Sequence, residues 1–483
     1  MIFYPQCFGF LSVVFDGFTV EGTDATPKII PFLPRTATVH MNGYREADTF
    51  EIDIDAKAFP FSPDLLRSCA VELFMFQTDG QLVSNLQTHA NGGDAWNLSP
   101  YQTDENRVIS GLVDDAKLHY GDDGRSFRLS GRDYTSLMIN RDWPDGKRVP
   151  ADGGQLDDVV QRLVDEAVSA NLHGGRTLTV EYLGAEDVLV RTQGRSLTHK
   201  KVVTKPPLVG RHHSKTQKKG FPVRSGRNYW DVIYDLCLRH AKICYVSGNR
   251  VIISDPKTLT AQSEAAAIRV AYGRNLKSLD VSRNMGKEAV PQIVASVYSK
   301  KNGKPIEAKW PKVLTPQLKQ SSQKGAGAAD ITGVGTVREQ TLRITPPQSI
   351  DSQQLLEDYC KAYYDNLARH EGTVSWVTKA LKDLKGDDLL SLRPGDPVRV
   401  EFDAFVSEDF KELSEQQRYS RMRELGYSDE VAEIVAVEYD RLHQFEAPFY
   451  VKDCSFAWSI DSGLEVQVEG INYISPKRDD VTK

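Results

Sequence analysis

Residues 454–469 read CSFAWSIDSGLEVQVE, and this run decides the fold class. Cys454, Phe456 and Trp458 alternate with small side chains up to a turn at 461–463, after which apolar and acidic residues alternate again. Successive side chains of a strand point to opposite faces, so this alternation predicts strands with one buried and one wet face. Two such runs around a turn predict an antiparallel hairpin.

The same period of two recurs along the chain. Residues 50–55 alternate after an Asn42-Gly43 turn, which predicts a hairpin with residues 36–41, and residues 398–403 alternate near the other end. The sequence therefore predicts a mainly β protein of the α+β class.

Helical spacing stands out against this background in three places. Apolar residues at intervals of three and four predict a helix over 156–168, and Asn228 is placed to cap a second helix that leads into a hairpin at 244–256. A third helix is predicted from Asp351 to about 370, with Gly372 as its stop.

Composition limits the class of protein. The 483 residues are 40% apolar and 26% charged, which predicts a soluble globular chain of two to four domains. Six Cys, none in a CxxC pair, argue against a secreted module held by disulfides. No period of 20–50 residues repeats.

Residues 1–15, MIFYPQCFGFLSVVF, are apolar and uncharged. They lack a basic start and a small-x-small cleavage site, which favours an N-terminal strand or an overcalled start over an export signal or anchor. Neither this run nor any later one is long enough for a spanning helix, so no membrane span is predicted.

Known catalytic motifs are absent from the sequence. It contains no GxxxxGK[ST], GxSxG or HExxH string. Cys237, His240 and Cys244 share a helix face, but core packing explains them better than a metal site that lacks a fourth ligand. Adjacent carboxylates such as Asp114-Asp115 are typical of turns and strand ends. We therefore predict no catalytic residue, no metal and no cofactor.

Charge is unevenly distributed. Between residues 188 and 230 there are eleven Lys or Arg and no acid, so a net charge of −6 leaves −17 on the rest of the chain. This basic segment is predicted to be extended, and it suits docking to an acidic protein, contact with passing nucleic acid, or a solvated insertion. Its candidate docking residues are Lys200, Lys201, Lys205, Arg211, Lys215, Lys218 and Lys219.

A helical insertion is predicted over 407–429, between strands. Its broken apolar face is a second candidate docking surface, made of Phe410, Leu413, Tyr419, Met422 and Leu425.

Four segments carry a resemblance to a known family. They are VISGLVDDAKLHYGDDGRSFRLSGRDYTSLMINRDW at 108–143, NYWDVIYDLCLRHAKICYVSGNRVIISDP at 228–256, the stretch 272–311 that begins YGRNLKSLDVSRN, and Arg-Pro-Gly-Asp at 393–396. Together they resemble the baseplate or tail hub proteins of tailed bacteriophages, which include the late control D proteins. The basic segment and the insertion at 407–429 depart from the family pattern.

The resemblance implies an architecture of two antiparallel barrels of the tail-tube type, with flanking helices and a small helix-hairpin module. The first barrel is expected at 1–150, a helix with the basic segment at 151–227, the module at 228–262, the second barrel at 263–475 and a tail at 476–483. Three copies are expected to form a ring of six similar barrels.

The resemblance also implies a structural role. Such a homotrimer joins a six-fold tail tube or adaptor protein to a three-fold spike or tip protein, contacts other baseplate proteins and lets DNA pass. The expected location is the tail tip of the virion, after synthesis in the host cytoplasm. Two alternatives stay open: a tail-associated cell-wall hydrolase, and a nucleic-acid-binding protein that acts through residues 188–230.

Overall fold

The structure is a computed structural model of the chain. It describes residues 3–15, 28–43, 46–56, 62–79, 101–103, 106–121, 124–150, 153–168, 178–183, 188–192, 196–200, 206–209, 220–223, 225–240, 242–248, 250–254, 267–283, 292–299, 303–312, 341–344, 346, 350, 352–368, 372–401, 413–437 and 449–472.

Strands dominate these residues. They are β1 Phe3–Phe15, β2 Lys28–Phe32, β3 Pro34–Asn42, β4 Thr49–Asp55, β5 Leu66–Asp79, β6 Arg107–Gly121, β7 Gly124–Asp133, β8 Arg148–Val149, β9 Thr179–Leu183, β10 Val188–Thr192, β11 Ser196–Lys200, β12 Phe221–Pro222, β13 Ile243–Ser247, β14 Arg250–Ser254, β15 Ile268–Ala271, β16 Ser278–Arg283, β17 Gln292–Ser299, β18 Lys304–Trp310, β19 Thr341–Ile344, β20 Gly372–Thr378, β21 Pro397–Glu401, β22 Phe449–Ser459 and β23 Gly463–Asn472. The helices are α1 Thr135–Ile139, α2 Leu156–Ala167, α3 Tyr229–Arg239, α4 Gln353–Ala368, α5 Glu415–Glu424 and α6 Asp429–Val437.

One sheet of 13 strands joins the two ends of the chain. Its order is β16-β20-β23-β22-β3-β4-β7-β6-β5-β1-β2, with β21 beside β22 and β15 beside β21. A single apolar core lies against strands from both ends of the sequence. The predicted mainly β class is confirmed.

The locally predicted hairpins are present. The strand at the amino terminus is β1, and β22 and β23 form the predicted hairpin around residues 460–462. The hairpin of β3 and β4 also forms, but Asn42-Gly43 does not close it as a tight turn. Six residues connect the strands, and Asp48 Oδ1 accepts a hydrogen bond from the Asn42 N–H at 2.9 Å.

Two hairpins of the main sheet carry the same irregularity at the same position. In β6–β7 a bulge follows Val113, which faces Gly131. In β22–β23 a bulge follows Val451, which faces Gly470. Bulges occupy defined positions in a fold, so their coincidence allows the two hairpins to be aligned residue by residue.

The strands around these hairpins correspond as well. On the far side of β7 lie β4 and then β3, and on the far side of β23 lie β20 and then β16. β5 flanks β6 as β21 flanks β22, and a 3-10 turn precedes each, at Pro63–Leu65 and at Leu389–Ser391. We call β3–β7 the first unit and β16 with β20–β23 the second unit. Corresponding strands follow in the same chain order, so the molecule contains one strand arrangement twice.

The units differ in what is inserted between corresponding strands. Between β16 and β20 lie the sheet β18-β17-β19 and α4, which share a separate core around Leu356 and Tyr359. At the equivalent place, six residues of sequence connect β3 to β4 in the first unit.

The predicted helices are found with one correction. α2 buries the predicted stripe, and the Asn228 side chain accepts a hydrogen bond from Asp231 N at 2.7 Å to cap α3. Gly372 does not stop α4, because it is the first residue of β20. Within the basic segment, the extended strands β10 and β11 pair with each other.

A second core holds α1, α2 and α3 against the sheet β13-β14-β9, where β9 runs parallel to β14. This pairing connects residues before the basic segment to the hairpin after α3. The domain boundaries at 150, 227, 262 and 475 stay predictions. No helix among the described residues is long and apolar enough to cross a membrane.

Candidate functional site

Segments that carry the family resemblance meet in space. Trp143 N donates to the Arg227 carbonyl at 2.8 Å, and Tyr229 N donates to the Arg141 carbonyl at 3.0 Å. These bonds tie the start of α3 to the chain that leaves α1. The segments at 108–143 and 228–256 therefore form one structural joint.

A cavity of about 450 Å³ lies at this joint. Arg132 stands in its wall, with Nε 2.6 Å from Asp114 Oδ2 and Nη2 3.1 Å from Asp114 Oδ1. This two-point contact raises the pKa of Arg132. The cavity is lined by Glu46, Ala47, Arg132, Ile139, Asn228, Trp230 and Asp231. These residues offer carboxylates and a guanidinium for polar contacts.

The Arg-Asp-Tyr-Thr string after Gly131 builds the start of α1. Asp133 Oδ2 accepts from the Thr135 hydroxyl at 2.7 Å, and Oδ1 accepts from Thr135 N at 3.2 Å. Burial raises the pKa of Asp133 to about 7, and burial also raises the pKa of its neighbour Asp48. The Asp48 carbonyl accepts from Asp133 N at 2.9 Å. This part of the motif has a structural role, because it anchors a helix to the sheet.

The Arg-Pro-Gly-Asp string lies where the two units meet. Arg393 Nη2 donates to the Arg107 carbonyl at 2.8 Å, which links the second unit to β6. Gly395 N donates to the Val451 carbonyl at 2.8 Å, and Gly43 N donates to the Lys452 carbonyl at 2.8 Å. Burial lowers the pKa of Arg393. Backbone bonds therefore hold the loops of both units together.

The strands β3 and β22 form the main contact between the units. Phe456 faces Val39 and Trp458 faces Ala37 in an antiparallel register. Phe456, Val39 and Ala37 are fully buried, and Trp458 is 7% exposed. Trp458 Nε1 donates to the Pro5 carbonyl at 3.3 Å, so its polar atom is also used. The junction has the packing of a domain core.

Several strands have an outer edge without a partner among the residues that the structure describes, and two of these edges belong to strands that have an equivalent in the other unit. β16 lies at one end of the sheet order and β2 at the other, and the part of β6 beyond Asp115 pairs only with β7. Tyr120 at the end of β6 is 64% exposed. Leu118, Leu279 and Val281 are half-buried against the main core. Apolar side chains on an open edge favour pairing with another strand.

The predicted docking residues of the basic segment are mostly outside the described residues. Lys200 is the last residue of β11, paired with Val188. Lys201, Lys205, Arg211, Lys215, Lys218 and Lys219 lie outside the described residues. Docking through this segment stays a prediction.

The helical insertion is a pair of helices, α5 and α6, that continues beyond residue 429 to Val437. Leu413 and Tyr419 pack against Met422 and Ala432 in a small core, so these predicted docking residues face the helix partner. Leu425 is 56% exposed. Phe410 lies outside the described residues.

The buried Cys237 and Cys244 belong to the core beside α3, and His240 is half-buried at the end of this helix. Burial lowers the pKa of His240 to about 4 and raises that of Cys244. Among the described residues, no group of three His, Cys, Asp or Glu is placed to hold a metal ion.

Of the adjacent carboxylates, Asp114 forms an ion pair with Arg132 and Asp115 forms an ion pair with Lys117.

Sequence reasoning missed the open edges of β6 and β16. The sequence does carry a signal of the doubled strand arrangement from which these edges follow. Val113-x-Asp115 and Val451-x-Asp453 are each followed, at a similar distance, by the glycine that faces the valine. The separation between the copies is far longer than the periods of solenoid repeats.

The fold is similar to that of known tail proteins. The tail protein from Neisseria meningitidis MC58 matches with a TM-score of 0.50 and 11% identity, over 97% of this chain and 96% of that one. The 43 kDa tail protein of prophage MuSo2 from Shewanella oneidensis matches with a TM-score of 0.49 and 11% identity, over 99% and 100%. The prophage tail protein gp18 from Listeria monocytogenes EGD-e gives 0.42 and 9%, over 97% and 95%.

No family model and no curated protein matches the sequence. At this level of identity the match to the Neisseria protein shows a shared fold and assigns no residue a role.

Proposed function

We propose that the protein is a structural hub of a phage tail tip or baseplate. Three copies form a ring that joins a six-fold tail tube to a three-fold spike or fibre assembly, and DNA leaves through its bore. The protein carries no catalytic activity in this role. Its partners are the tube or adaptor protein on one side, the spike or tip protein on the other, and neighbouring baseplate proteins.

The observation that carries this proposal is the doubled strand arrangement. The bulges after Val113 and Val451 and the shared strand order define two equivalent units in one chain. Three chains then supply six equivalent units, and such a ring can meet six-fold and three-fold neighbours. The likeness to the Neisseria tail protein over nearly the whole length supports the same role.

Charge is compatible with passage of DNA. Outside the basic segment at 188–230 the chain carries −17, and an acidic bore repels phosphates. We propose that part of this acidic surface lines the bore, while the basic segment docks an acidic neighbour.

Light scattering on the purified chain tests the ring. We expect a mass three times that of the 54.1 kDa chain, either alone or with tube and spike proteins present. Electron microscopy of the trimer should show six similar lobes around a hole. A strict monomer that clears bacterial cell walls contradicts the hub and favours the hydrolase.

The basic segment is tested separately by changing Lys200, Lys201, Lys205, Lys215, Lys218 and Lys219 to Ser. We expect weaker docking of a baseplate neighbour, measured by particle assembly. Unchanged assembly with loss of DNA retention contradicts the docking role and favours nucleic-acid binding.

A further inference from the structure

The contact between the two units pairs two strands, and each of these strands has an equivalent in the other unit. Inside the chain, β3 of the first unit pairs with β22 of the second. The strand equivalent to β3 is β16, and the strand equivalent to β22 is β6. Each of these two strands has an outer edge without a partner among the described residues.

We propose that β16 of one copy pairs with β6 of the next copy, antiparallel and in the register of β3 and β22. This inference rests on the proposed ring and names the surfaces that close it. Each copy uses a different edge toward each neighbour, which is a head-to-tail contact, and such contacts form closed rings when the rotation closes.

The register follows from the aligned hairpins. Val451 corresponds to Val113, so Phe456 corresponds to Leu118 and Trp458 to Tyr120. Pairing with β4 and β20 aligns β3 with β16 in the same way. Val39 then corresponds to Val281, and Ala37 to Leu279. The pairs between chains are therefore Leu118 with Val281, Tyr120 with Leu279, and His119 with Asp280.

The chemistry of these pairs is complementary. Leu118, Leu279 and Val281 pack against the main core, as Phe456 and Trp458 do inside the chain. Tyr120 lies two residues after Leu118 and therefore falls on the same face of the strand. His119 and Asp280 fall on the opposite face, where an imidazole and a carboxylate attract each other. A register shifted by one residue would place apolar side chains against polar ones.

A second copy fits these edges better than an unrelated strand. The edges lie in corresponding units, their facing residues match in pairs, and the structure already contains the same contact once. The 3-10 turn at Pro63–Leu65 contacts β6, and with the equivalent turn at Leu389–Ser391 in place β22 still pairs with β3.

Disulfide trapping tests the register. The six native cysteines are buried, so a mild oxidant acts on introduced thiols. In the variant His119→Cys/Asp280→Cys we expect covalent dimers and trimers under non-reducing conditions, because directly opposed strand residues lie within disulfide reach. The matched control His119→Cys/Ser282→Cys places the thiols two residues apart along the strand and should stay largely uncrosslinked.

Tyr120→Asp tests the same surface without relying on geometry. Tyr120 is 64% exposed, so the folded chain tolerates the change and keeps its circular dichroism and melting midpoint. We expect loss of the trimer peak in light scattering. Ile460→Asp is the control, since Ile460 is equally exposed at 64% but lies outside the proposed contact.

The outcomes separate the two proposals. A trimer that survives Tyr120→Asp, or that crosslinks as well through the offset pair, overturns the strand pairing and leaves the hub standing. A wild-type chain that stays monomeric, with or without tube and spike proteins, contradicts both.

Discussion

Replacing Gly131 with alanine tests how closely the strands β6 and β7 approach each other at the bulge. A Cβ on Gly131 would lie 2.0 Å from the Leu112 carbonyl oxygen and 2.6 Å from Phe50 Cζ. The oxygen belongs to the backbone of the neighbouring strand and cannot rotate away, so the two strands must separate by about 1 Å to restore van der Waals distance.

The expected cost follows from these distances. Overpacking of a filled core destabilises by about 1–3 kcal/mol, and a clash with backbone belongs at the upper end. Gly131→Ala should therefore lower the free energy of unfolding by about 3 kcal/mol. In the equivalent Gly470→Ala, the new Cβ meets Val374 Cγ1 at 3.0 Å and Phe449 Cβ at 3.1 Å. A side chain can yield there, and alanine also restricts the unfolded chain, so the change should stay below about 1 kcal/mol.

Urea unfolding followed by tryptophan fluorescence and circular dichroism measures both variants against the wild type. The ranking is the decisive result. A Gly131→Ala chain within about 0.5 kcal/mol of wild type, or a larger loss in Gly470→Ala, would show that the strands of β6–β7 are not as close as the bulge register requires.

Three further predictions concern single side chains. Burial raises the pKa of Asp133 to about 7, so between about pH 4 and 7 the folded chain keeps a proton that the unfolded chain loses, and stability falls as the pH rises. Asp133→Asn should make that fall shallower in a pH series of urea midpoints. Asn228→Ala removes the cap of α3 and should cost about 1 kcal/mol in the same unfolding assay, with Asn228→Asp close to wild type. Phe456→Ala empties a fully buried site between the units and should cost about 3–5 kcal/mol, whereas Leu118→Ala, at the equivalent but half-buried site, should cost clearly less in the isolated chain.

The sequence predicts the parts of the fold that depend on neighbouring residues. The hairpin at 454–469 and the helix capped by Asn228 have their signals within a few residues, and both are found. Gly372 shows the limit of such signals, because a glycine after a helix is common both as a stop and as the first residue of a strand.

Pairing between distant strands is not encoded locally. The residues next to Val39 and Phe456 in the sequence do not indicate that these two residues face each other. The parallel pairing of β9 with β14 cannot be predicted from a single sequence either. Register follows from which face is buried, and burial depends on the whole fold. The Arg-Asp-Tyr-Thr string resembles a family motif, but its structural role is not visible in the sequence. The contacts of the Asp133 side chain show that the string anchors α1.

The two versions of the contact differ in a way that fits their proposed places. Inside the chain, Trp458 is 7% exposed and is covered as soon as the chain folds. The equivalent Tyr120 is 64% exposed and must remain in water until another chain arrives. Tyrosine suits this situation because its ring supplies contact area while its hydroxyl stays hydrated. The residue opposite changes in the other direction, from Ala37 to Leu279, so the smaller aromatic ring meets a larger aliphatic partner. A more polar aromatic side chain at the exposed copy is the pattern expected if one contact forms during folding and its copy forms during assembly.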